Sequence, residues 1–154
     1  MATTPSERLK ALGLELPPPP APAGAYRPVV VHDKMGWVSG QIAVQDGAVY
    51  RPGLVDRDVP GVAAKELARR ATLQALSAIQ AELGSIDRVR RFLRVAVYVA
   101  TSPGFDRPHE VANGSTELLI ELYGDDGRPA RVAIGVHSLP LNAAVEVEFS
   151  FATW

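Results

Sequence analysis

The sequence predicts an α+β fold, an antiparallel-dominated mixed sheet with two helices packed on one of its faces. Three observations predict it. Short runs rich in Val, Ile, Tyr and Phe at 29–31, 37–44, 48–50, 92–100 and 129–151 alternate in polarity, as half-buried strands do. Two longer stretches, 60–83 and 105–123, carry apolar residues at helical spacing instead. The elements follow in the order ββ(β)αβαββ, and two helices make one layer, which covers one face of a sheet.

At 154 residues the chain is long enough to bury a core as one unit. A formal net charge of −1 gives no electrostatic case for gripping a nucleic-acid backbone. With no cysteine, disulfides, thiolate catalysis and thiolate metal sites are excluded. Glu7, Arg8 and Lys10 interrupt the place where a secretory leader needs an apolar run, and no stretch reaches membrane-spanning length. The expected setting is the cytoplasm.

Thr4-Pro5-Ser6-Glu7 has the form of a capping box with Pro at the first helical position, and Leu9, Leu12 and Gly13 outline a short helix that stops there. Pro17 to Pro20 and Pro22 follow, a run that must be extended and that ties this helix across the surface. Residues 1–24 thus form a leading helix and proline-rich tether, and 25–154 a single α+β domain. Runs at 29–31, 37–44 and 48–50, with turns near Asp33-Lys34 and Asp46-Gly47, predict a three-stranded antiparallel meander. Ser39-Gly40 lies inside the second strand, where glycine marks a bulge or the close approach of another group.

In the helix over 60–83, Val62, Ala63, Leu67, Ala71, Ala75, Leu76, Ile79 and Leu83 form the stripe that covers the sheet, and Gly84 stops it. Arg69, Arg70, Arg88, Arg90 and Arg91 read as solvated faces. The strand at 92–100 sets Leu93, Val95, Val97 and Val99 against Arg94, Ala96, Tyr98 and Ala100, so both of its faces are largely apolar. The second helix, 105–123, turns Val111, Leu118, Leu119 and Leu122 inward. Asn113-Gly114-Ser115 matches a glycosylation sequon, without consequence in a cytoplasmic protein. His32, His109 and His137 are too scattered for a metal site.

The stretch 129–148 carries the chemistry. It reads as a β-hairpin joined through Leu139-Pro140-Leu141-Asn142, with Val132, Ile134 and Val136 and then Val145, Val147, Phe149 and Phe151 facing the helices. The opposite face then carries Arg131, Ala133, Gly135 and His137 beside Glu146, Glu148 and Ser150. Two readings fit: an ordinary cross-strand ion pair, or a site for a small anion gripped by Arg131. The face with Ala96, Tyr98, Ala133 and Gly135 is too apolar to stand in water, so the same face of another subunit is expected to cover it in an obligate homo-oligomer.

Over residues 26–149 the chain resembles the Rid family, the reactive intermediate deaminases also called YjgF. The resemblance rests on Ser39-Gly40-Gln41-Ile42, Pro129-Ala130-Arg131, Leu139-Pro140 and Val145-Glu146-Val147-Glu148, and the leading helix and proline run resemble a longer subgroup. It implies a fold like that of the chorismate mutase trimer, with a site in each cleft between subunits. It further implies hydrolysis of enamines and imines of 2-oxo acids to the 2-oxo acid and ammonia. Arg131 would grip the substrate carboxylate and Glu146 would hold the attacking water, with Tyr26, Ser39, Gly40, Asn113 and Ala133 lining the pocket. No metal, cofactor or covalent nucleophile is required by that chemistry. Ala133 stands where short members usually have cysteine, a departure that bears on substrate range. The rival readings are a non-catalytic 2-oxo acid binding protein, an endoribonuclease, and, by fold analogy, a chorismate mutase.

Overall fold

The computed structural model describes residues 3–154. Five strands build the main sheet: β1 (Val29–His32), β2 (Met35–Ile42), β5 (Val89–Ala100), β6 (Ala130–Val136) and β7 (Val145–Thr153). Their order is β1-β2-β7-β5-β6, antiparallel at every pairing except β5 with β6. The α+β class and the mixed, mainly antiparallel sheet are therefore as the sequence predicts. Two helices, α2 (Gly61–Leu83) and α3 (Pro108–Tyr123), pack side by side on one face, α2 over β2 and β7 and α3 over β5 and β6.

The three-stranded meander is corrected. β1 and β2 form a hairpin, but β3 (Val44–Gln45) and β4 (Ala48–Val49) leave the sheet as a separate ribbon. The reason is competition for an edge: the second edge of β2 pairs with β7, so no place remains beside it. The hairpin at 129–148 is corrected as well. Parallel strands need a long crossover, and α3 supplies one between β5 and β6. β7 then enters on the other side of β5, so β5 separates the two strands of the predicted hairpin.

This insertion turns β6 over. Val95, Val97 and Val99 on β5 point toward the helices, and their neighbours on β6 are Arg131, Ala133 and Gly135. Val132, Ile134 and Val136 therefore point the other way, with Ile134 42 % exposed. The predicted inward face of β6 is the outward one. β7 does follow prediction: Val145, Val147, Phe149 and Phe151 are buried, and Glu146, Glu148 and Ser150 share the open face with Tyr98, Ala96 and Arg94.

Gly84 closes α2 in the left-handed region at φ 84°, where a side chain would be strained. Leu67, Ala71, Ala75, Leu76 and Ile79 are buried as predicted, but Val62 is 87 % exposed. Two residues before buried Ala64, Val62 lies about 200° around the helix, on the solvent side. Between the helices, a Cβ at Gly114 would strike the Lys65 carbonyl, so glycine sets the closeness of α2 and α3. A bulge at Leu93 lets Phe92 take the inward place expected of Leu93, its ring edge-on to Tyr123 at 5.0 Å and to Phe149 at 5.7 Å.

Helix α1 (Pro5–Ala11) has both bonds of its capping box, Glu7 N donating to Thr4 Oγ1 at 3.2 Å and Thr4 N to Glu7 Oε2 at 2.8 Å. It docks through buried Leu9, through Ser6 Oγ donating to Asp87 Oδ1 at 2.8 Å, and through Arg8 Nη1 donating to the Leu122 carbonyl at 3.0 Å. The proline run crosses α2. Ser77 Oγ donates to the Pro17 carbonyl at 2.6 Å and Gln74 Nε2 to the Pro18 carbonyl at 2.9 Å. Among the described residues, no helix is long and apolar enough to cross a membrane.

Candidate functional site

Arg131 begins on the edge strand and reaches under α3. Its Nη1 donates to Asn113 Oδ1 at 2.8 Å and to Thr116 Oγ1 at 3.1 Å, and its Nη2 donates to the His109 carbonyl at 3.4 Å. All three acceptors are neutral. Among the described residues no carboxylate lies within ion-pairing distance of Arg131, although seven pairs form elsewhere, so the predicted cross-strand ion pair with Glu146 is absent. Both protons of Nη1 are engaged, which leaves the Nε and Nη2 edge as the open side of the fork. His109, Asn113 and Thr116 stand at i, i+4 and i+7 on α3, one helical stripe. Thr116 was not among the sequence candidates, yet that spacing from Asn113 was there to be read.

Glu146 stands on the other side of the sheet, opposite Tyr98 on β5 and Ile42 on β2. Between Val38 and Gln41 the register of β2 slips by one residue, placing the predicted bulge at Ser39-Gly40. The glycine also makes the predicted close approach, and its neighbour is Glu146: a Cβ at Gly40 would collide with that carboxylate. Ser39 fixes the bulge, its Oγ donating to the Arg27 carbonyl at 2.7 Å and its N to the Pro28 carbonyl at 2.8 Å. Tyr26 lies next in the chain to Arg27, half-exposed, its hydroxyl accepting from Ala23 N at 3.2 Å.

The half-buried Glu146 carboxyl is pushed above the ordinary glutamate value, by burial first and by the Glu148 charge second. Glu148 has a donor of its own, Tyr98 Oη at 2.8 Å. That bond, with burial adding to it, raises the Tyr98 phenol and keeps it protonated. The same open face holds a groove of about 400 Å³ lined by Val30, Trp37, Arg94, Glu148 and Ser150.

The structure thus makes two half-sites from the sequence candidates. Arg131, Asn113 and Ala133, the last packed against the core, belong to the helix side; Glu146, Gly40 and Ser39 belong to the bulge of β2 and the open side. Within one chain Arg131 on β6 and Glu146 on β7 lie on opposite faces, with β5 between their strands. An Arg fork with a free edge is a carboxylate receptor, and a half-buried carboxyl of raised affinity for protons is an acid or base.

A sheet of this order with one helical layer defines a small α+β protein. The family model described as "YjgF/chorismate_mutase-like, putative endoribonuclease" matches residues 6–153, and the chain belongs to that family, also known as Rid. The match includes the proline run and all of α1 but its first residue. Protein TCP17 of Trypanosoma cruzi is 38 % identical over 141 residues, covering 91 % of this chain and 88 % of that one. The crystal structure of Atu1372 from Agrobacterium tumefaciens, a protein of unknown function, is 34 % identical with a TM-score of 0.88, covering 97 % of this chain and 92 % of its own. A Shewanella oneidensis MR-1 structure with the same endoribonuclease description is 27 % identical with a TM-score of 0.93, covering 97 % of this chain and 99 % of its own.

Proposed function

We propose that the protein hydrolyses imines and enamines of 2-oxo acids in the cytoplasm, in clefts between copies of this chain, a trimer by resemblance to the family. The observation that supports it is the pair of half-sites on opposite faces. Within one chain Arg131 and Glu146 face away from each other; in the proposed assembly a second copy laid on the open face would set its Arg131 against the first copy's Glu146. The uncovered face invites such a copy, with Val30 48 %, Trp37 47 % and Ile134 42 % exposed.

In this reading the substrate carboxylate takes the Nε and Nη2 edge of Arg131, a charge-assisted contact of about 1.5–3 kcal/mol, while Asn113 and Thr116 hold the guanidinium from behind. Glu146 accepts a proton from water as the water oxygen bonds to the protonated imine carbon, giving a carbinolamine. It then delivers that proton to nitrogen. As the carbon–nitrogen bond breaks, Glu146 takes the proton of the carbinolamine hydroxyl, ammonia leaves and the 2-oxo acid remains. An enamine enters the same route once its carbon is protonated. Ser39, Gly40 and Tyr26 form the wall on the Glu146 side and Ala133 the wall beneath Arg131.

The test is 2-oxobutanoate release from 2-iminobutanoate generated in place by a threonine dehydratase. Acceleration that Arg131→Ala and Glu146→Gln abolish, in variants that remain folded oligomers, sustains the proposal. An inactive protein that binds 2-oxo acids through Arg131 overturns it in favour of a metabolite-binding protein. An endoribonuclease remains the rival suggested by the family's description. The net charge of −1 counts against it, as do the carboxylate partners of Arg57, Lys65, Arg69, Arg70, Arg91 and Arg128. Cleavage of RNA that survives Glu146→Gln would favour that rival.

A further inference from the structure

The open face holds two carboxylates one pleat apart, and only one of them has a partner. Glu146 and Glu148 both point to that face from β7, opposite Tyr98 and Ala96 on β5. Tyr98, cross-strand neighbour of Glu146, sends its hydroxyl along the sheet to Glu148 Oε1 at 2.8 Å instead. Glu146 has no hydrogen-bond donor among the described side chains and lies over the bare backbone of Gly40. A phenol can give Glu148 only one proton, and it does so most strongly when that carboxylate is ionised.

We propose that Tyr98 is a positioning residue for the reaction inferred above: by donating to Glu148 it occupies that carboxylate, so that Glu146, where water and substrate meet, is the one that takes the proton from water. The inference rests on Glu146 being the proton-handling group. It adds what selects Glu146 over its neighbour. The two charges repel across one pleat, and the carboxylate with no donor is the better proton acceptor. The charged and titratable groups facing this pair are few. β5 contributes Tyr98 and Arg94, with Arg94 nearer to Glu148 along the groove; β7 contributes only the two glutamates. β2 contributes Ser39 and Gly40, β6 Val132 and Ile134, none of which titrates, and the segment before β1 contributes Tyr26, whose hydroxyl accepts from Ala23 N. Both helices lie behind the sheet. In the proposed assembly Arg131 of a second copy also faces Glu146, and it is the same in every variant compared below.

The consequences separate Tyr98 from a merely structural tyrosine. In Tyr98→Phe Glu148 becomes a rival acceptor for that proton, stronger by about tenfold for the loss of one hydrogen bond to a charged acceptor. The acid limb of kcat/KM then becomes shallower, and its midpoint falls by roughly half a unit. In Glu148→Gln the repulsion is gone, and the limb stays steep while its midpoint falls by about one unit. The double variant Tyr98→Phe/Glu148→Gln matches Glu148→Gln, because Tyr98 acts through Glu148. Titration of the Glu146 carboxyl carbon by ¹³C NMR in the full-length protein reads the same shifts without turnover. A uniform fall in activity at all pH values, with the Glu146 titration unmoved in Tyr98→Phe, overturns the inference and leaves Tyr98 structural. Turnover surviving in Glu146→Gln overturns the underlying reaction instead, and the carbon titration still decides whether Tyr98 directs the proton.

Discussion

The two faces of the sheet hold their charges in opposite ways. Behind it, Arg131 is clasped by three neutral acceptors of α3, in a setting built by helix packing. In front, Glu146 and Glu148 stand on a face that no element among the described residues covers, with a single tyrosine hydroxyl for two carboxylates. The covered face fixes geometry and leaves a charge without a counter-charge. The open face leaves geometry to be finished by something else.

The largest expected effect tests that contrast at its root. Ile134→Asp places a charge on the open face, where Ile134 is 42 % exposed in the single chain. If a second copy covers this face, the variant falls to a monomer in sedimentation and loses turnover while its far-ultraviolet circular dichroism is kept. A wild-type chain that sediments as a monomer would break the comparison altogether.

A pair of glycine substitutions sharpens it. Gly40→Ala drives a methyl group into the Glu146 carboxylate, so turnover should fall on the order of 100-fold with little change in melting temperature. Gly114→Ala drives the same methyl group into the Lys65 backbone behind the sheet, so stability should fall by about 1–3 kcal/mol, read as a lower denaturant midpoint. Reversed outcomes would mean that the bulge is a structural element and the helix contact a functional one. A smaller effect is expected of Thr116→Val, which removes one acceptor from Arg131 and should raise KM about tenfold with kcat nearly kept. An unchanged KM would take Thr116 out of the site.

The smallest effect is a slope. The folded Glu146 carboxyl lies above its ordinary 4.5, so the folded chain holds this proton more tightly than the unfolded one. Stability from this group is fully present below the unfolded value and is lost as pH rises through the folded value. Glu146→Gln should therefore flatten the decline of stability with rising pH in that window. A wild-type denaturation curve with no such decline would mean that burial of Glu146 is relieved in solution.

What the sequence revealed and what it hid divides along the same two faces. The strands, the helices, the stop at Gly84 and the outward glutamates of β7 were legible because each depends on local period and local turn chemistry. The orientation of β6 was not. Its two alternating sets, Val132, Ile134 and Val136 against Arg131, Ala133 and Gly135, are both compatible with a core. Larger aliphatic side chains point to the inward face only when that face is the better covered one. Which side β6 shows to the helices is set by its parallel register with β5, and register with a distant strand leaves no mark on seven residues of alternation. The motif residues themselves were readable from resemblance. That Arg131 and Glu146 stand back to back was not, because a hairpin and a β5 interposed between the same two strands have the same local pattern.

The place of β7 has a consequence for how the chain acquires its shape. This strand comes last in chain order yet occupies the middle of the sheet, with β2 on one side and β5 on the other. Before it arrives, β1 and β2 can form one piece and β5, α3 and β6 another, but no strand bond joins the two pieces. At synthesis rates of about 5–20 residues per second, both would wait for seconds with open edges, a window in which a chaperone or a neighbouring nascent chain meets them first.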